Sequence, residues 1–336
     1  MSAHGIIMIL DFERDIQEWS KQAIRNLGYT PKRSQDAAST LAEVFSILRN
    51  RIPPIPREIK VAQNFVCPEE YSKGYQQIIS EIEQGVDLKP RGSRKQTNKY
   101  VFYDDMLLDW NIYHLHLGHD FYKTGDKKGL IKGNKELLFV FFTEETAYII
   151  GVFDHKSWTK QEVLELVYLN WPDLLLPWKI NRAVGISRDV TDNERKLLRG
   201  AQINSPIKIG DNIYMGPGGG ITTAGTGTNE IRQADQVLDA AENLTKWVIQ
   251  NADYVQNGLA IEYDELKFDV SRYVLTKTYS FHDVKNNIRV FVPSQEPLGT
   301  FIHPAYASLV EPDADNYSYH DPRSQSGVII ERLQNT

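Results

Sequence analysis

Apolar residues recur at helical spacing through most of the first 90 positions. The spacing predicts helices over residues 11–27, 34–49 and 68–85, because one side of each segment carries the apolar side chains. Three prolines within residues 52–56 separate the second helix from the third. The pattern therefore predicts a helical N-terminal region, residues 1–92.

The apolar pattern changes after a polar, basic joint at residues 89–96, which predicts a loop or mobile boundary. Apolar runs at 137–142 and 147–153 flank a short polar turn, which indicates an antiparallel hairpin. A helix over 160–168 is expected to pack on this hairpin. We therefore predict a central α+β domain over residues 93–185.

The rest of the chain, from residue 186, has weaker patterns. They indicate a short helix at 189–198, a strand or hairpin at 207–215 and a long amphipathic helix at about 230–251. The end, residues 311–336, is polar and acidic, so we expect it to lie at the surface or to be partly disordered. Residues 186–336 are predicted as an α+β region with an acidic tail, and the whole chain as α+β.

Composition narrows the class of protein only in part. The chain has 336 residues, 41% of them hydrophobic and 24% charged, as in soluble proteins of more than one domain. Cys67 is the single cysteine, which excludes an intrachain disulfide and favours a reducing cytoplasm. No apolar stretch approaches the 18 residues of a membrane span, so we expect no membrane partner. The oligomeric state is left open.

Three of the eight histidines fall within six positions, at His114, His116 and His119. If this segment is extended, strand alternation places Trp110, Ile112, His114 and His116 on one face. Two imidazoles on one face can act as an acid and a base, or can share a metal ion or a phosphate. The cluster is the strongest chemical signal in the chain.

Basic residues flank this cluster on both sides. The net charge of −6 argues against general coating of nucleic acid, yet residues 89–135 hold ten basic and five acidic side chains. RNA or another polyanion is therefore an expected partner, although two solvated loops would give the same pattern. The residues expected to bind its phosphates are Arg94, Lys95, Lys123 and Lys135.

The leading hypothesis for function is metal-independent cleavage of RNA. The ribose 2′-hydroxyl is itself the nucleophile, so the enzyme needs only a base, an acid and cations. We expect His114 and His116 to be the acid and base, His119 and His155 to assist, and Lys156 to hold phosphate. A small sheet packed on a helix, with a hairpin bearing His and Lys, resembles ribonuclease toxins of the barnase and RelE type.

A metal-dependent hydrolase is the first alternative, with a divalent ion such as zinc held by His114, His116, His119 and Asp120. The spacing resembles the His-x-His-x-Asp-His motif of metallo-β-lactamase-type hydrolases, although Gly118 stands where that motif has aspartate. It also resembles the alternating histidines of the HIT family, whose third histidine would stand at position 118. The second alternative is a non-enzymatic binding module with structural histidines and a basic docking surface.

A longer stretch resembles a family of uncharacterised bacterial proteins. The resemblance covers about residues 70 to 175, and its motifs are 103–118, the hairpin end Asp154-His155 and the segment 170–172. That family pattern has Gly and His where this chain has Asn111 and Tyr113. The resemblance implies that the motif is one unit, and proteins of this kind are often toxins or phage-defence effectors.

Two further segments could carry chemistry. Residues 216–228 hold six glycines but lack the P-loop signature, so a hairpin turn with a helix capped by Thr228 or Asn229 is favoured over nucleotide binding. Asp104 and Asp105 could supply carboxylates, although a solvated turn is the favoured interpretation.

Overall fold

The computed structural model describes residues 10–93, 95, 103–133, 135–183, 185–258, 266–293, 300–312 and 328–332. Its α-helices are α1 (Phe12–Asn26), α2 (Ala37–Arg49), α3 (Ser72–Glu83), α4 (Asp105–Trp110), α5 (Gln161–Asn170), α6 (Asp192–Gly200), α7 (Thr228–Gln250), α8 (Val270–Thr276) and α9 (Ala307–Val310). Its strands are β1 (Glu58–Val61), β2 (Ile112–His116), β3 (Glu136–Phe142), β4 (Thr146–Asp154), β5 (Ile207–Ile209), β6 (Asn212–Tyr214), β7 (Leu266–Phe268), β8 (Ser280–Asp283), β9 (Ile288–Phe291) and β10 (Ile329–Arg332).

The predicted α+β class is confirmed. The chain forms two compact units, one of residues 1–45 together with 231–336 and the other of residues 46–230. The three consecutive regions predicted from the sequence divide the chain at different positions, because the first unit combines both chain ends. In the described part of the chain, no helix is long and apolar enough to cross a membrane.

The unit of residues 46–230 is built on a four-stranded sheet in the order β1-β4-β3-β2. Strands β2, β3 and β4 are antiparallel, and β1 adds to the edge parallel to β4. Strand β1 lies in the region predicted to be helical, where its four residues are too short to show a pattern beside the prolines. The predicted β3–β4 hairpin is confirmed.

Each face of this sheet has its own apolar core. On one face, Val163 and Val167 of α5 pack with Phe139 of β3, so the predicted packing of this helix on the hairpin is confirmed. On the other face, Ile78 and Ile82 of α3 belong to the cluster that includes alternate residues of β2 and β3. The sheet is therefore the middle layer between two helices.

The basic joint at 89–96 is not simply a loop. Residues Lys89–Arg91 form a short 3-10 helix, and Arg91 is only 1% exposed. Its guanidinium pairs with Glu81 and donates to the carbonyl oxygens of His116 at 3.0 Å and Gly118 at 2.9 Å. Local composition suggested a boundary, but the buried ion pair makes this segment an anchor for the end of β2.

The glycine-rich stretch packs against the C-terminal end of α4. The amide of Gly218 donates to the carbonyl of Asp109 at 2.8 Å, and that of Gly220 to Leu108 at 2.9 Å. A Cβ on Gly218 would lie 2.1 Å from the Leu108 carbonyl oxygen, so only glycine fits there. These amides satisfy a helix end rather than facing an anion, in keeping with the favoured prediction of a turn followed by a helix. Thr228 begins α7 and therefore does not precede it as a cap.

The unit of residues 1–45 and 231–336 has a second four-stranded sheet in the order β10-β9-β8-β7. Helix α1 packs on it, with the rings of Phe12 and Phe268 6.0 Å apart. Strand β10 pairs antiparallel with β9, so part of the tail that was expected at the surface or partly disordered is a strand of this sheet. Residues 313–327 and 333–336 of that tail lie outside the described residues.

A cleft beside strand β2

Strand β2 carries His114 and His116 on one face, as the alternation predicted. The two histidines lie opposite Phe139 and Leu137 of β3. Trp110 is an exception to the prediction, because it ends helix α4 and is not part of the strand. Asn111, with φ of 56°, turns the chain from the helix into the strand, a conformation that asparagine tolerates better than most residues.

A cleft of about 340 Å³ opens on this face of the sheet. Leu137, Phe139 and Trp158 form its apolar wall. The side chains able to do chemistry in it are those of Ser93, Lys95, Tyr103, Asp104, Asp105, His114 and His155. A few polar groups beside an apolar wall are typical of a small-ligand site or an active site.

Asp104 holds His114 in place. One carboxylate oxygen, Oδ1, accepts the amides of Met106 and Leu107 at 3.1 Å each, so Asp104 is the N-cap of α4. The other oxygen, Oδ2, lies 3.5 Å from His114 Nδ1. The favoured interpretation of a solvated turn is therefore wrong for Asp104, because the helix amides fix its orientation. An imidazole oriented through Nδ1 keeps Nε2 for a substrate.

His155 reaches the same cleft from the end of β4. The register aligns His116 with Leu137 and Leu137 with Phe153, so the residues after β4 lie across the sheet from His116. Asp154 accepts the amide of Lys156 at 2.9 Å and fixes this turn. The hairpin predicted from the sequence already indicates His155 as a neighbour of the β2 histidines, although it is about 40 positions from β2.

His116 lies beneath His155 rather than in the lining of the cleft. Its side chain is buried, at 7% exposure, and its ring packs edge-on against that of His155 with centroids 5.8 Å apart. The Cα of Gly133 also packs on the His116 ring, since a Cβ there would be 3.0 Å from Nδ1. The structure thus brings His114 and His155 to the cleft and places His116 as support.

Asp105 is the other carboxyl group of the cleft. Burial raises its pKa above the ordinary value of 3.8, and the neighbouring charge of Asp104 raises it further.

Arg199 forms an ion pair at the opposite end of α4. Its guanidinium contacts Asp109 Oδ2 through Nε at 2.6 Å and Nη2 at 2.5 Å. It also lies over the ring of Trp110 at 4.3 Å and near that of Trp158 at 5.3 Å. Arg199 was not predicted as a partner of Asp109, since 90 positions separate the two residues.

The remaining predicted site residues lie elsewhere on this unit. His119 is exposed, with Nε2 3.7 Å from Asp120 Oδ2, and neither residue lines the cleft. Lys123, Lys135 and Lys156 are exposed and also outside its lining. Lys95 is in the lining, and the prediction for Arg94 falls outside the described residues.

The metal alternative needs several ligands within reach of one ion. Among the residues that the structure describes, no group of three or more histidine, cysteine, aspartate or glutamate side chains could hold a metal ion. The suggested set of His114, His116, His119 and Asp120 is split between the cleft, the core and the surface.

Asp104 was named from the sequence only as a possible carboxylate, although its capping role also has a sequence signal. An aspartate directly before a short apolar segment is a typical N-cap, and its second oxygen is then available to a neighbour. Ser93 and Tyr103 have no comparable signal, because their places in the cleft depend on tertiary packing alone.

Comparison with known proteins gave no relative from which to infer chemistry: no family model, no curated protein and no solved structure matches this chain.

Proposed function

We propose that the cleft beside β2 cleaves RNA by acid–base catalysis without a metal ion. The observation that carries the proposal is the joint presence of two imidazoles, His114 and His155, in one cleft, with the first oriented by the carboxylate of Asp104. An acid and a base are the two groups that this reaction requires of the protein, because the ribose supplies its own nucleophile.

His114 acts as the base. With its Nδ1–H directed at Asp104, its Nε2 takes the proton of the 2′-hydroxyl. The O2′–P bond forms while the P–O5′ bond breaks, leaving a 2′,3′-cyclic phosphate. His155 gives its proton to the departing 5′-oxygen. After the step His114 is protonated and His155 is neutral, so the number of protons is unchanged.

Lys95 offsets the charge of the scissile phosphate. It is exposed, and it lines the same cleft as the two histidines. The carboxyls of Asp104 and Asp105 would oppose an anion if both were charged. Their effect is reduced because Asp104 faces an imidazole and a helix N-terminus, while burial raises the pKa of Asp105.

A chimeric oligonucleotide tests this proposal directly. One ribonucleotide within a fluorophore- and quencher-labelled DNA strand gives a single cleavable bond. The expected product carries a cyclic phosphate, and the rate should be the same with and without EDTA. His114→Ala and His155→Ala should each reduce the rate by about 100-fold or more.

His119→Ala is the matched control, because this histidine is exposed and outside the cleft. It should retain the wild-type rate. The proposal is overturned if the wild-type protein does not cleave, if EDTA abolishes cleavage, or if His119→Ala is as damaging as His114→Ala. The second result would restore the metal-dependent hydrolase.

A further inference from the structure

One loop next to the cleft has a surface unlike the rest of this acidic chain. Residues 120–132, here called the lysine loop, connect the end of β2 to the segment before β3. They contain four lysines and two aspartates, although the chain as a whole has a net charge of −6. In the described part of the molecule, no acidic side chain forms an ion pair with any of these lysines. They are Lys123, Lys127, Lys128 and Lys132.

The loop is held firmly at its base. Phe121 and Ile131 form a β-bridge, and the amide of Lys132 donates to the carbonyl of Asp120 at 2.7 Å. Ile131 is buried, and its amide donates to Pro90 at 2.8 Å. A Cβ on Gly118 would lie 2.0 Å from the Lys132 carbonyl oxygen, so the loop also packs closely on the chain leaving β2. The backbone at the base of the lysine loop is therefore held in place by hydrogen bonds and packing.

Aromatic rings lie among the lysines. Lys127 Nζ lies 5.3 Å from the ring centre of Tyr122, so that ring is already covered by a cation. Phe121 is 44% exposed, which is unusual for a phenylalanine and leaves part of its ring accessible. Cations that follow a phosphate backbone, together with a ring on which a base can stack, are the two components of single-strand recognition.

We propose that the lysine loop binds single-stranded RNA, with the exposed lysines on the phosphates and a base stacked on Phe121. The inference rests on the proposed function in one respect: the bound strand would continue from this loop into the cleft. The loop begins four residues after His116, which ends β2 and whose ring packs against that of His155 in the cleft.

Binding can be measured without cleavage by using a strand that has no 2′-hydroxyl nucleophile. The probe is a fluorescein-labelled 12-nucleotide 2′-O-methyl RNA, titrated with the full-length protein at several KCl concentrations. The test variant combines Lys123→Gln, Lys128→Gln and Lys132→Gln, which leaves the contact between Lys127 and Tyr122 intact. The control variant combines Lys73→Gln, Lys196→Gln and Lys208→Gln, three exposed lysines elsewhere in the same unit.

Both variants change the net charge equally, so only the location of the charge differs. We expect the test variant to reduce the slope of log affinity against log salt by about 2, since each phosphate contact on a single strand contributes about 0.7. The control variant should keep the wild-type slope. Equal weakening by both variants, or no binding by the wild-type protein, overturns the inference.

Phe121→Leu separates stacking from charge, because leucine keeps the apolar contact at the base of the loop. Its affinity for the single strand should fall roughly fivefold or more, as for loss of one stacked base. Its affinity for the same sequence as a duplex should not change. A loss of equal size for both forms would contradict the stacking role.

Two further measurements complete the design. Vesicles containing phosphatidylglycerol test a membrane partner: binding to them that depends on the loop lysines, with no binding of RNA, overturns the inference. The second measurement is the cleavage of the chimeric substrate by the wild-type protein and by the test variant. If the wild-type protein binds the probe but does not cleave the chimeric substrate, only the proposed function is overturned. If the test variant cleaves that substrate with an unchanged KM, only this inference is overturned.

Discussion

Helix α4 carries a carboxylate paired with a nitrogen-bearing side chain at each end, and the two pairs differ in burial, distance and surroundings. Asp109 pairs with Arg199, which is almost fully buried between two tryptophan rings. Asp104 faces His114 at the edge of a cleft, at the longer distance of 3.5 Å and with both side chains partly exposed.

The difference lies in what remains available to a ligand. Arg199 makes short contacts to Asp109 and donates to the carbonyl of Trp158, so its donors face the protein. His114 is held through one nitrogen only, and it lines the cleft. A short, buried ion pair is therefore typical of a structural contact. A longer pair beside a cavity indicates a candidate functional residue.

The largest effect is expected from Arg199→Ala. This change leaves the largely buried carboxylate of Asp109 without its cation, and loss of one partner of a buried pair costs about 3–5 kcal/mol. Urea unfolding followed by tryptophan fluorescence measures the loss. His114→Ala, at the other pair, should change the free energy of unfolding by less than about 1 kcal/mol. Equal losses would erase the distinction between the two pairs.

Gly218→Ala tests whether the Asp109 end of α4 depends on the glycine-rich stretch. The new methyl group would clash with the Leu108 carbonyl, so we expect a loss of about 2 kcal/mol in unfolding free energy. Gly185→Ala is the matched control, because nothing lies within 4 Å of its Cβ position. A variant as stable as this control would show that the close approach is relaxed in solution.

Asp104→Asn tests the pair of Asp104 and His114 at the cleft end of α4. Asparagine caps a helix about as well as aspartate, so stability should change by only a few tenths of a kcal/mol. The negative charge beside His114 is lost, and we expect the rate of RNA cleavage to fall about tenfold, equal to about 1.4 kcal/mol in barrier height. The two measurements are thermal unfolding and the chimeric-substrate assay. A large stability loss with an unchanged rate would make this pair structural too.

The smallest expected effect is the contribution of Asp105 to the pH dependence of stability. Its pKa is raised in the folded protein, mainly by burial, so the folded state binds the proton more tightly than the unfolded state. The contribution to stability is therefore fully present below the ordinary pKa of 3.8 and is lost as pH rises through the folded value. Asp105→Asn removes this dependence.

The difference in unfolding free energy between wild type and Asp105→Asn, measured in steps from pH 3.5 to 7.5, isolates this one group. The wild-type protein should lose stability relative to the variant as pH rises. A difference that is flat, or that has the opposite slope, would contradict a raised pKa of this carboxyl group in the folded protein.

Local patterns in the sequence were enough to predict much of the fold. The β3–β4 hairpin, α5, α7 and the strand placement of His114 and His116 all follow from periodicity over a few residues. The exit of the chain from α4 was not foreseen, because a left-handed Asn111 ends the helix one residue before the strand.

Long-range contacts explain what the sequence could not predict. The pairing of Arg199 with Asp109 depends on how two distant segments pack together. The alignment of β3 with β4 includes a register shift between Phe139 and Val140, which no local pattern reveals. The buried Arg91 is a third case, because an arginine in a basic stretch has the same sequence signal whether it is solvated or paired.

The contact between the glycine-rich stretch and α4 has a consequence for the order in which the protein is made. A six-residue helix is too short to persist alone in water. Its C-terminal carbonyls are satisfied by residues 218 and 220, which a ribosome adds about 110 positions later. The carboxylate that orients His114 is therefore set in place only when most of the chain has been synthesised. A nuclease built this way would stay inactive as a nascent fragment, beside the messenger RNA that encodes it.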